Sequence, residues 1–127
     1  MVKEDKTIYY DDEKKIKALI EILQKYNFNE LKKVQHYYDS ILEKDTDEKI
    51  LLRHFNEFKK IKLISFRERV NKKSNYDIYY ELDDGTYIVY AIDIHNSPPI
   101  LINAFPVKKN LKKFVKCIFK RDKRFML

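Results

Sequence analysis

Glycine occurs once in this chain of 127 residues, cysteine once, tryptophan not at all, and proline and histidine three times each. A single glycine cannot build the Gly-rich turn that cradles phosphates, so phosphate-loop and dinucleotide motifs are excluded. One cysteine, Cys117, with His36, His54 and His95 scattered, lacks the ligand spacing of zinc and cannot form an internal disulfide. No nucleophile elbow surrounds Ser65 or Ser74, which sets serine hydrolysis aside. No cofactor and no metal are expected. Apolar runs of about 18 residues are also missing, and the longest uncharged stretch, Ile94 to Val107, is interrupted by Pro98-Pro99, so no membrane span is expected. The opening MVKEDKTIYY has neither an apolar core nor a small-residue cleavage site, which with the lone cysteine points to a reducing cytoplasm.

What the chain does have is charge, unevenly spread. Its length fits one domain, residues 1–127, and a hydrophobic share of 44% is enough for a core, while 37% charged residues make the surface dense with ions. Residues 1–60 carry 13 Lys/Arg against 13 Asp/Glu, whereas residues 61–127 carry 14 against 7, so the whole net charge of +7 lies in the second half. In residues 105–127 nine cations face only Asp122. Such asymmetry is the electrostatic footprint of a protein that meets a polyanion, although a lysine face can also be merely solvated.

Periodicity gives the elements. Thr7 to Tyr10 reads as a strand, and Asp11 and Asp12 then supply a cap for a helix from Glu13 with Ile16, Leu19, Ile20 and Leu23 inward. Asn29 is placed to cap a second helix with Leu31, Val34, Tyr38, Ile41 and Leu42 buried and Tyr37 nearer its edge. Asp45 with Glu48 resembles a capping box for a third, with Leu51, Leu52, Phe55 and Phe58 apolar, ending near Lys60. From Ile61 to Val70 the period becomes two, with Ile64 and Phe66 on one side and Ser65, Arg67 and Arg69 on the other. Asp84-Gly85 between β-rich runs signals a hairpin; a two-residue loop would set Leu82 against Tyr87, Tyr80 against Val89 and Ile78 against Ala91. A last strand, Ile100 to Phe105, should stop at Pro106. Asn110 can cap a C-terminal helix with Leu111, Phe114, Val115, Ile118 and Phe119 on one face and lysines on the other. The expected fold is α+β: N-terminal helices packed on an antiparallel β-sheet meander, with a basic C-terminal helix.

Cations neutralise phosphates and tyrosine faces stack on unpaired bases, so the basic half interleaved with tyrosines predicts an RNA surface. If that surface is catalytic, metal-independent cleavage by the RNA 2′-hydroxyl needs fixed cations and a proton acceptor. Candidates for the acceptor are Glu68, His54, His95 or a tyrosine whose pKa is lowered by nearby cations.

TIYYDDEKKIKAL, FRERV followed by YDIYYELDDGTYIVY, and INAFPVKKN together resemble the RelE-like toxins, in particular their HigB-type branch. The resemblance implies a metal-independent endoribonuclease (mRNA interferase) acting on free or ribosome-bound mRNA and held inactive by a helix-turn-helix antitoxin. By position it assigns Arg67, Arg69 and Lys109 as catalytic, with Lys108 on RNA phosphates; the basic stretch extends the nucleic-acid surface to Lys112, Lys113, Lys116, Lys120 and Arg121. The chain departs from the family's pattern at Asp77, where that branch has an arginine. This departure favours an alternative: a non-enzymatic phage or mobile-element protein that docks its basic half on nucleic acid or an acidic protein.

Overall fold

The computed structural model describes residues 6–68 and 74–125, with side chains through Phe119. Among them are four α-helices and a six-stranded sheet of order β1-β3-β4-β5-β6-β2, antiparallel except where β2 runs parallel to β6. The strands are β1 (Lys6–Tyr10), β2 (Lys32–Lys33), β3 (Ile61–Glu68), β4 (Asn75–Glu81), β5 (Tyr87–Asp93) and β6 (Ile100–Val107). The helices are α1 (Glu13–Leu23), α2 (Gln35–Glu43), α3 (Glu48–Phe55) and α4 (Leu111–Phe125). The expected α+β architecture, helices packed on a mostly antiparallel sheet, is therefore present, with β2 as a sixth strand that the sequence did not announce.

The first helix forms where its cap dictates: Asp12 Oδ1 accepts from Lys14 N at 2.9 Å, and Ile16, Leu19 and Leu23 are buried. The second differs from the sequence expectation. Phe28–Glu30 forms a 3-10 turn and Lys32–Lys33 a short strand on β6, so α2 begins six residues beyond Asn29. Burial of Phe28 and Leu31 explains it, because the extended segment also brings Lys33 Nζ back to the Phe28 carbonyl at 2.8 Å. The later start turns the helix, so Tyr37 rather than Tyr38 faces inward, its hydroxyl donating to Glu48 Oε2 at 2.7 Å. Tyr38 and Leu42, expected inside, are 46% and 80% exposed. The cap of α3 is Asp47, whose Oδ1 accepts from Lys49 N; Asp45 instead occupies the left-handed region at φ 49 in the turn before it. Leu51 and Phe55 face the core, and Leu52 does not.

The hairpin forms, but its register is shifted by one from the two-residue expectation: Tyr80 opposes Ile88 and Ile78 opposes Tyr90. The loop is Asp83-Asp84-Gly85. Gly85 N donates to the Leu82 carbonyl and Leu82 N to the Thr86 carbonyl, with Gly85 at φ +87, which is a type I turn followed by a glycine bulge. Asp84 chooses this turn, its Oδ1 accepting from both the N–H and the hydroxyl of Thr86. A Cβ on Gly85 would stand 2.9 Å from Asn110 Nδ2 and force a left-handed non-glycine residue. Gly85→Ala should therefore cost about 1–2 kcal/mol, read as a lowered urea midpoint; an unchanged midpoint would refute this account of the turn.

The register decides which residues share a face. Ile78, Tyr80, Ile88, Tyr90 and Ile92 join Leu19, Leu23, Phe28, Tyr37, Leu51 and Phe55 in the larger core under the first three helices. Leu63, Tyr79, Tyr87 and Val89 face the other way and meet Leu111 and Ile118 of α4. The strand β6 does not stop at Pro106 but runs through it to Val107: Pro106 pairs with Ile88 of β5, while β2 ends short of it on the other side.

Candidate nucleic-acid interface

The second face of the sheet carries α4. Asn110 starts that helix, with its Oδ1 accepting from Lys113 N at 3.0 Å, and Leu111 N donates to the Gly85 carbonyl at the hairpin tip. Phe114 stacks on both Tyr79 and Tyr87, at 5.6 and 5.8 Å, in a cluster whose two tyrosine rings are themselves 5.8 Å apart, with Tyr9 edge-on at 6.2 Å. This inward stripe leaves Lys112, Lys113 and Lys116 exposed, following Lys108 and Lys109 in the β6–α4 corner.

These lysines differ from the other cations in density, five within residues 108–116 and no carboxylate among them, rather than in exposure alone. Among the described residues Lys14, Lys17, Lys25, Lys32, Lys49, Arg53, Lys59 and Lys62 are exposed without ion pairs too, while some cations are engaged. Lys60 pairs with Glu57 and Asp83, Arg67 with Asp77, and Lys33 with two carbonyls. Lys15 and Lys44 lie 4.1 Å from the rings of Tyr10 and Phe105. Among the described residues, Lys108, Lys109, Lys112, Lys113 and Lys116 have no such partner. Acids stand near the helix in two places: Asp11 and Glu81 line a groove with Lys62, Lys112 and Lys116, and Asp83 and Asp84 precede Gly85 in the turn that meets the start of α4.

The candidate catalytic cations are not brought together. Arg67 pairs with Asn75 across β3 and β4, whereas Val107, two residues before Lys109, pairs with Tyr87, which opposes Glu81 at the far end of β4. Six residues at about 3.4 Å, and three strand spacings at about 4.8 Å, put Arg67 and the corner about 25 Å apart. Arg67 Nη2 also stands 3.7 Å from Asp77 Oδ2, and the buried Asp77 accepts from Asn75 Nδ2 at 3.0 Å. Where the resembled branch has a cation, Asp77 thus holds one. Arg69 lies outside the described residues, as do the side chains of Lys120 and Arg121.

The tyrosine expectations need correction. Tyr79 and Tyr87 are buried beneath α4, and Tyr37, Tyr80 and Tyr90 beneath the other helices, so these five offer no stacking surface. Burial also pushes each of their hydroxyls above the usual phenol range, for Tyr79 against a smaller opposite pull from Ser65. A tyrosine base with a lowered pKa is not among them.

The proton-acceptor candidates scatter as well. His54 bonds Glu57 at the end of α3, in the opposite layer. Glu68 ends β3, half-buried. His95, 63% exposed, has Nδ1 2.9 Å from Oδ1 of Asp93, itself 4% exposed, so a buried carboxylate orients an open imidazole. Because Tyr76 opposes Ile92, this dyad lies at the Arg67 end of the sheet. Two residues apart in sequence, Asp93 and His95 could have been paired by eye, but nothing in the spacing announced the carboxylate's burial.

Among the described residues no group of three His, Cys, Asp or Glu side chains could hold a metal, and no helix is long and apolar enough to cross a membrane. Comparison of the chain with protein-family models, curated proteins and solved structures gives no match.

Proposed function

We propose that this chain is a nucleic-acid-binding protein whose outward α4 face and β6–α4 corner contact phosphates. The observation that carries the reading is density: Lys108, Lys109, Lys112, Lys113 and Lys116, exposed and without ion-pair partners among the described residues, fall within nine residues that hold no carboxylate, whereas the cations of residues 1–60 are matched in number by carboxylates. Ion pairing within a fold neutralises charge; leaving several neighbouring cations unpaired sustains a positive potential that draws a polyanion. Binding to a labelled RNA should be measurable at low salt. It should weaken steeply as salt rises, with log K falling by about 0.9 for each phosphate neutralised per decade of salt on a duplex and about 0.7 on a single strand. Salt-insensitive binding, or none, would reject this reading.

A second reading is favoured by one observation: the Asp93–His95 dyad at the Arg67 end of the sheet. It is the metal-independent endoribonuclease toxin of the RelE/HigB type, on ribosome-bound or free mRNA, with a helix-turn-helix antitoxin as partner. In that reading His95 takes the 2′-hydroxyl proton and Arg67 steadies the phosphate, while Lys109 at the far end can only position distant RNA. Expression of the intact chain should then arrest growth, and cleavage by the purified protein should persist in EDTA and fall about a hundredfold or more in His95→Ala. Harmless expression with intact transcripts would leave the binding protein alone standing.

A further inference from the structure

We propose that the outward face of α4 seats in the major groove of B-form duplex DNA, gripping its phosphates without regard to sequence. The proposal rests on the nucleic-acid reading above and names its substrate. Three observations support it. First, the helix is a convex ridge. At about 100° per residue, Lys112 and Lys113 diverge to either flank of the outward arc, with Lys116 between them. Cations on both flanks suit two phosphate rows with a groove between them, whereas one strand would meet one flank. Second, the recess that could hold a single strand is the groove beside α4, where Asp11 and Glu81 face Lys62, Lys112 and Lys116; a strand lying in it would pass both carboxylates, whereas a duplex on the helix reaches Lys113 on the other flank as well. Third, the tyrosines nearest the lysine face are spent on packing: Tyr79 and Tyr87 are buried and form a three-ring cluster with Phe114 beneath the helix, so they cannot stack on bases. Stacking is the main sequence-tolerant source of affinity for single strands, so its loss weighs against them.

Groove dimensions choose between duplexes. An α-helix with its side chains is about 10–12 Å across, and the B-DNA major groove is about 12 Å wide. The A-form RNA major groove is deep and too narrow for side chains to read. Lysine carries point charge rather than the fixed fork that reads base edges, so contact falls on phosphate and sequence preference is weak.

The test is fluorescence anisotropy with one mixed-sequence DNA of about 20 base pairs, its separated single strand, and the matching RNA duplex, across a salt series. Duplex DNA should bind about tenfold or more tighter than either competitor. The triple variant Lys112→Glu/Lys113→Glu/Lys116→Glu should lose at least about tenfold in affinity and flatten the salt slope by about 3, one per lost phosphate contact. Lys49→Glu, an exposed charge on α3 in the opposite layer, should bind as the parent does. Circular dichroism would confirm that the triple variant is folded. Single strand binding as tightly as duplex overturns the inference and leaves the nucleic-acid reading intact. RNA duplex binding as tightly as DNA overturns the groove argument. A parent that binds none of the three probes at low salt removes both readings.

Discussion

Replacing Phe55 with alanine should cost about 3–5 kcal/mol of stability, at the upper end for a buried aromatic residue. Phe55 is fully buried, and its ring meets Phe28 at 5.9 Å, Tyr90 at 5.7 Å and Phe58 at 5.8 Å, so it joins α3, the 3-10 turn Phe28–Glu30, a second 3-10 turn at Phe58–Lys60, and β5. The neighbours cannot collapse into the space. The Tyr80 hydroxyl donates to the Phe55 carbonyl and the Tyr90 hydroxyl to the Leu51 carbonyl, each at 2.7 Å, pinning the last turn of α3 to the sheet. The first of those bonds satisfies the Phe55 carbonyl, one of the last four that the helix leaves without an intrahelical donor, and the second adds a donor to the Leu51 carbonyl. Tyr80→Phe should cost about 1–2 kcal/mol, since it orphans the Phe55 carbonyl while keeping the ring, and Tyr90→Phe about 1 kcal/mol or less, since the Leu51 carbonyl keeps its helical donor. Chemical denaturation of the three variants gives the ranking directly. A loss under about 1 kcal/mol for Phe55→Ala would mean that α3 is not anchored as described.

The same residues show what could be read from the chain and what could not. Caps written in a single side chain were legible: Asp12 opens α1 and Asn110 opens α4 where their chemistry says they should. The α4 stripe was legible because five apolar residues at helical spacing leave one consistent inward face. The second helix was misphased because Tyr37 and Tyr38 are adjacent and equally apolar. What separates them is Glu48, a partner eleven residues away that no local pattern reveals. The hairpin was found from Asp84-Gly85, but two- and three-residue loops share that pair, and the choice rests on the Asp84 bonds to Thr86. That one-residue difference sends Tyr79 rather than Tyr80 under α4. β2 escaped notice because two residues carry no period and pair only with a strand far along the chain. For the candidate site, the exposed lysines were visible from sequence, whereas the distance between Arg67 and Lys109 is a property of register across four strands.

Asp77→Ala should cost about 2–4 kcal/mol, more than Arg67→Ala, because the two partners are buried unequally. The Asp77 side chain is 9% exposed and that of Arg67 42%. Removing the carboxylate strips Asn75, 1% exposed, of the acceptor for its Nδ2 and leaves Arg67 beside a hole, while removing Arg67 leaves Asp77 its bond from Asn75. The direct ion pair is looser, at 3.7 Å and half open to water, so the coupling in a double-mutant cycle should be about 1 kcal/mol or less. Nucleic-acid affinity should stay within about twofold of the parent in Arg67→Ala if phosphate contact belongs to the lysine face about 25 Å away, beyond the reach of screened surface charge. The pair of readouts separates two roles for one arginine. Stability lost with affinity kept makes Arg67 the counter-ion of a buried carboxylate. Affinity or RNA cleavage lost with stability kept would make it an anion-binding group, and would move the functional centre from the lysine face to the Asp93–His95 end of the sheet.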